Sequence, residues 1–188
     1  MITSYEREKL INAIVFFASH TKKCGKVKLF KLLYFLDFEH FRQTGRGVTG
    51  LDYYAWPKGP VPVELNNEMN SPNPDMAQKV RFQAIPTRFA NKMLLIQAEG
   101  EFDPSHFTKR ELNLLEHLAA EYEDTVADDM IEATHLETLP WHKVYYDEGN
   151  RQALIPYVYA LKPEEVEAVL TIAAENEEII QNYNESWN

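Results

Sequence analysis

Gly45-Arg46-Gly47-Val48-Thr49-Gly50 carries the lettering of a dinucleotide-binding fingerprint, G-x-G-x-x-G. That chemistry needs the glycines between a strand and a helix N-terminus, where backbone amides face a pyrophosphate. Here a long helical pattern precedes the glycines and a strand pattern follows, so a helix-to-strand turn is expected and no nucleotide site. His20 and Cys24 stand four apart, a spacing that can hold a metal on a helix. No second ligand pair lies beside them, and Gly25 suits the end of that helix. His135 and His142 have no HExxH or CxxC framework around them, so hydrogen-bonded histidines are expected and no metal. Lys23 and Lys26 flank Cys24 and can lower a thiol pKa, but an unreactive thiol is the expectation. There is no G-x-S-x-G and no paired acid–base motif. Nothing in these residues requires an enzyme or a cofactor.

Tyr53-Tyr54-Ala55-Trp56-Pro57-Lys58-Gly59-Pro60 has a different character. Strand alternation sends Tyr53 and Ala55 to one face, Tyr54 and Trp56 to the other. Pro57 and Gly59-Pro60 are expected to break the strand and form a stiff corner. Tyr and Trp give large contact area at low rotamer cost, which marks interface anchors, while core packing explains the same residues equally well.

These residues are positioned by the stretch from Lys26 to Thr44. Val27, Leu29, Leu32, Leu33 and Leu36 form one stripe at helical spacing, and Phe30, Tyr34, Phe38 and Phe41 a second. A helix apolar all round belongs in an interior or in lipid. Lys28, Lys31, Asp37, Glu39 and His40 interrupt the run, so it is too short in uncharged residues to span a bilayer. It reads as the central helix of a soluble domain, closed by Gly45.

Around it, Thr3-Ser4-Tyr5-Glu6 has capping-box spacing for a first helix running to about His20, with Leu10, Ile11, Ile14, Phe17 and Ala18 inward. Pro62 opens a short helix, and Ser71 to Pro74 is a loop. Phe82, Ile85, Phe89 and Met93 to Ile96 suggest one or two short strands around Pro86. Thr108 to Glu111 is a second capping box, before Leu112, Leu115, Leu118, Ala119 and Tyr122. Asp124 or Thr125 opens a helix ending near His135. Ile155 to Val158 reads as an edge or extended segment. Pro163 starts a last helix with Val166, Val169, Leu170, Ile172, Ala173, Ile179 and Ile180 as its apolar positions. The fold class is mainly α with a small β component: a helical domain around a central buried helix, with short antiparallel strands.

With 188 residues, 45% of them hydrophobic and 12% aromatic, the chain has material for one cored domain. A single cysteine excludes an internal disulfide, and the N-terminus lacks a signal-peptide pattern, so the cytoplasm is expected. Net charge is −10, yet residues 1–60 carry ten Lys/Arg against five Asp/Glu. The overall sign disfavours DNA binding. The lysines at 22, 23, 26, 28 and 31 are expected to form a solvated helix end.

Residues 26–62, KVKLFKLLYFLDFEHFRQTGRGVTGLDYYAWPKGPVP, resemble the Panacea domain, the SocA-like antitoxin domain earlier linked to a phage-associated GepA-like protein. TKRELNLLE at 108–116, ATHLETLPW at 133–141 and IPYVYAL at 155–161 fit the same family in order. The resemblance covers most of residues 9–161. It implies a domain over 1–161 with a C-terminal helical extension over 162–188. It further implies an antitoxin that neutralises a cognate protein toxin by direct contact, without catalysis. The SocA member is described as an adaptor, so a Clp-type protease is a second implied partner. Some relatives carry a DNA-binding helix-turn-helix; here direct DNA binding is not expected, nor membrane association. Carried over as partner-binding residues are Tyr53, Tyr54, Trp56, Pro57, Gly59, Pro60, His135 and Trp141, with Tyr54 and Trp56 the leading contacts. The alternatives are a phage-associated protein acting on host machinery, or a small-molecule or nucleotide enzyme using a cleft beside Gly45–Gly50.

Overall fold

Every side chain from Lys28 to Phe38 is buried in the computed structural model, which describes residues 5–86, 92–136 and 139–185, with the side chains of 177 and of residues beyond 178 left out. That run lies in α2 (Lys26–Thr44), and it is buried on all sides because the rest of the chain wraps it. α1 (Glu6–His20), α5 (Lys109–Glu121), α6 (Ala127–Thr134) and α8 (Val166–Glu185) pack against it, as do both hairpins. The doubled apolar stripe thus finds an apolar neighbour in every direction.

The fold is mainly helical, with two two-stranded antiparallel sheets among the described residues. The first pairs β1 (Tyr54–Trp56) with β2 (Gly59–Val61) in the register Tyr54↔Val61, Ala55↔Pro60, Trp56↔Gly59. β1 ends before Pro57 as expected, but Gly59-Pro60 opens the returning strand, so the corner is the turn of a hairpin. Pro60 fits because β2 is an edge strand, where a missing N–H leaves no ladder partner orphaned. The second sheet pairs β3 (Val80–Pro86) with β4 (Lys92–Ala98). It docks on the α1–α2 turn, where the Ile96 amide donates to the Cys24 carbonyl at 2.8 Å. Two short helices, α3 (Val63–Glu68) and α4 (Pro74–Ala77), lie between the hairpins. Arg7 on α1 ties both down through ion pairs to Glu68 and Asp75.

The second capping box forms as expected: Glu111 N donates to Thr108 Oγ1 at 3.3 Å, and Thr108 N to Glu111 Oε2 at 2.7 Å. Thr3 and Ser4 of the first box lie outside the described residues, as do Phe89 and the side chains of Ile179 and Ile180. α1 starts after Tyr5, whose φ of 52° is left-handed. α6 begins at Ala127 because the preceding residues are used as a turn, with Thr125 N on the Tyr122 carbonyl and Lys22 on Asp124.

After α6 the chain forms α7 (Pro140–His142), which runs into a π-helical turn at Lys143–Asp147. Residues 152–155 then lie along the free edge of β1: Gln152 N donates to the Ala55 carbonyl, Ala55 N to Ala153, and Ile155 N to Tyr53. The expected extended segment thus sits a few residues early, and Tyr157–Ala160 coils into a 3-10 turn. α8 starts at Val166 rather than Pro163. It meets α2 where Val169 and Ala173 crowd Gly45, while Leu170 and Ile172 face outward.

Candidate functional site

The aromatic hairpin is held from beneath by two polar side chains of α2, Asp37 and Lys31. Asp37 is fully buried; Oδ1 accepts the amides of Val48 (2.7 Å) and Thr49 (2.8 Å). Its Oδ2 accepts the Thr49 hydroxyl and the Tyr53 hydroxyl, the latter at 2.7 Å. Burial pushes the Asp37 carboxyl up, and its four donors work against that shift. Lys31, one turn and a half earlier, is also buried, and its Nζ donates to the Pro60 carbonyl at 3.1 Å. Burial alone holds this ammonium down to about 7. Lys28 is buried as well, with Nζ on the carbonyls of Lys22 and Glu123. The lysines at 28 and 31 are therefore not part of a solvated helix end. Their long stems are buried, and their ammonium groups reach backbone carbonyls of Lys22, Glu123 and Pro60.

Gly59 shows how closely hairpin and helix approach. Its φ is 99°, and a Cβ there would stand 2.2 Å from Lys31 Nζ and 2.8 Å from Thr134 Oγ1. Only glycine fits.

The hairpin's other support is Trp141 in α7, whose indole N–H donates to the Trp56 carbonyl at 2.9 Å. Its ring sits in a stack: His135 lies on one face at 3.8 Å and 5° interplanar, Tyr145 on the other at 4.7 Å and 14°. Arg151 covers the far face of Tyr145 at 5.3 Å, and Tyr146 meets the edge of Trp141. Burial, with Lys31 nearby, keeps His135 below the ordinary histidine range, so a neutral imidazole stacks here. The π-helical turn widens the backbone by one residue per turn and places Tyr145 and Tyr146 on adjacent sides of Trp141.

The eight residues expected to bind a partner are thus brought together around one corner, but they divide. Tyr53 and Trp141 are each 0% exposed, and Gly59 and Pro60 are also buried; they build the corner and offer a partner no surface. Alternation explains the split, since Tyr53 and Ala55 point into the core while Tyr54 and Trp56 remain half-exposed. Pro57 and Lys58 are exposed at the tip, and His135 is half-buried. The structure adds three exposed apolar residues around the same stack: Leu136 at 59%, Tyr146 at 59% and Leu154 at 46%. Leu154 bridges Tyr54, and Leu136 follows His135. The period of residues 142–160 gave no regular element to which Tyr146 or Leu154 belonged. Only HKVYY directly after Pro140-Trp141 hinted at an extended aromatic cluster.

The other candidate chemistry does not assemble. Gly45 (φ 72°) closes α2 and Gly50 (φ 70°) turns the chain toward β1, so the glycine run is a helix-to-strand turn pinned to Asp37. His20 Nδ1 bonds the Phe16 carbonyl and its ring stacks on Phe16. Cys24 is buried, and burial pushes its thiol up to about 11. Among the described residues no group of His, Cys, Asp or Glu has metal-binding geometry, and no helix is long and apolar enough to cross a membrane.

The stretch holding the buried KLLYFLDF helix and the aromatic Gly-Pro corner it braces falls within a match to a known domain class. The chain belongs to the antitoxin SocA-like, Panacea domain family, whose model matches residues 29–142, from the buried part of α2 to the end of α7. Membership points to an antitoxin role. No curated protein and no solved structure matches the chain.

Proposed function

We propose that this protein neutralises a cognate protein toxin by direct contact, using the rim of the aromatic corner and performing no chemistry of its own. The observation that carries this reading is the exposure of Pro57, Leu136, Tyr146 and Leu154 beside the half-buried Tyr54 and Trp56 around one stack. Exposed apolar side chains grouped on a braced support mark interaction sites more than scattered ones do. The corner is also pre-organised: Asp37, Lys31 and Trp141 fix its backbone before any partner arrives, which lowers the ordering cost of binding. The His135–Trp141–Tyr145 stack, buried at Trp141 and Tyr145, supports the contacting rim from beneath. Delivery of the bound toxin to a Clp-type protease is a compatible second task, resting on the family alone.

Co-expression of the chain with the product of the neighbouring gene tests the proposal. Rescue of growth and recovery of a complex are expected. Loss of both on Trp56→Ala or Tyr146→Ala, with the melting temperature retained, would assign the contact to the corner. A complex unaffected by both substitutions would move it elsewhere, and addition of the protease would shorten the toxin's lifetime only if the adaptor role holds.

A further inference from the structure

A cavity of about 800 Å³ lies between the start of α1, the C-terminal end of α2 with its glycine turn, and the start of α5. The corner residues take no part in it. Its wall holds a buried charged cluster: Glu111 accepts from Lys9 Nζ at 2.7 Å and faces His40 Nε2 at 3.9 Å. Burial pushes the Glu111 carboxyl up, but Lys9 and the Thr108 amide outweigh it and hold the group ionised. His40, kept below the ordinary histidine range by burial, turns its Nδ1–H to the Arg46 carbonyl at 2.7 Å. The glycine turn is thereby fixed with Arg46 at the cavity wall.

Arg46, Lys109 and Arg110 all line this space, and none has an ion-pair partner among the described side chains. Three such cations at one cavity stand out in a chain with 29 acidic residues against 19 Lys and Arg. Neither acidic residue of the wall pairs with them among the described side chains: Glu111 is committed to Lys9 and Thr108, and the Glu6 carboxylate lies against Gly50, leaving the wall with more cations than anions. Tyr5 and His106 stack at 4.3 Å and 20° at the same cavity, with the Tyr5 ring exposed.

We infer that this cavity binds a small phosphorylated ligand with a flat ring, its phosphates held by Arg46, Lys109 and Arg110 and its ring laid against Tyr5. Guanidinium forks suit phosphate oxygens, and the volume lies in the range of small-molecule sites. The glycine turn would then act through the Arg46 it presents, not through a helix N-terminus.

Calorimetric titration of the full chain with ADP, pyrophosphate and adenosine at low salt tests this. Saturable binding of ADP is expected, weakening as salt is raised. Arg46→Ala and Arg110→Ala should each weaken it by about tenfold. Tyr5→Leu should weaken ADP but leave pyrophosphate unchanged, and Lys58→Ala at the distant hairpin tip should change neither. Coincident melting curves would show that the variants are folded. The inference is overturned by no saturable ADP binding at roughly millimolar concentration, by equal affinity in the arginine variants, or by pyrophosphate binding as tightly as ADP.

Discussion

Tyr53 looks like an interface residue and is a structural one. Its hydroxyl donates to a buried carboxylate, so Tyr53→Phe leaves Asp37 short of a donor and should cost about 1–3 kcal/mol in a denaturant titration. Toxin affinity should change little in that variant. Lys31 gives a sharper test because its contribution has a sign. Its folded pKa of about 7 lies below the ordinary lysine value, so the folded chain carries the cost of a buried ammonium below pH 7. From there toward the ordinary value of 10.5 the unfolded chain binds a proton that the folded chain does not, and stability rises with pH. Thermal melts should show this rise in the wild type, and Lys31→Met should flatten it. A wild-type profile that falls across this window would mean that Lys31 stays charged in the fold. Gly59→Ala combines a left-handed backbone with a clash against Lys31 and should lower the melting temperature however the corner is used.

At the scale of elements, α2 and the hairpin it braces behave as one unit. Leu33→Ala removes a fully buried side chain from the centre of α2 and should cost roughly 2–5 kcal/mol, read as a lower midpoint with an unchanged denaturant slope. Trp56 and Trp141 differ despite similar chemistry. Trp141→Ala takes out the middle of a stack together with the bond to the Trp56 carbonyl, and should cost about 3–5 kcal/mol of stability. Trp56→Ala removes a half-exposed ring and should weaken toxin binding more than it lowers the melting temperature. Equal loss of stability in both variants would put Trp56 in the core. The helix periods behind this picture were readable in advance: α2, its Gly45 cap and the Thr108–Glu111 box match their expected positions. The hairpin was not, because a proline pair reads locally as a break, and only edge placement against Lys31 makes it a strand.

For the whole molecule, the two proposed surfaces should respond differently to salt. Contact at the corner rests on apolar side chains, so toxin affinity should be nearly independent of ionic strength, whereas the cavity's cations should lose an anion as salt rises. Measuring both on one preparation checks the division of labour. The net charge of −10 masks this arrangement, since the unpaired cations of the cavity belong to Arg46, Lys109 and Arg110 rather than to the lysine run at 22–31. That run is largely consumed: Lys22 pairs with Glu123 and Asp124, and Lys28 and Lys31 are buried.

Local chemistry in the chain determined the central helix, its Gly45 cap, the division of the aromatic strand into two faces, and the family that those residues define. Tertiary structure decided which rings became support and which became rim, and it placed a lysine and an aspartate in the interior. The reason is that burial depends on what arrives from far along the chain. Asp37 is satisfied by Thr49 and Tyr53, Trp141 by the Trp56 carbonyl, and Lys31 by Pro60, and no spacing along a single element records those meetings.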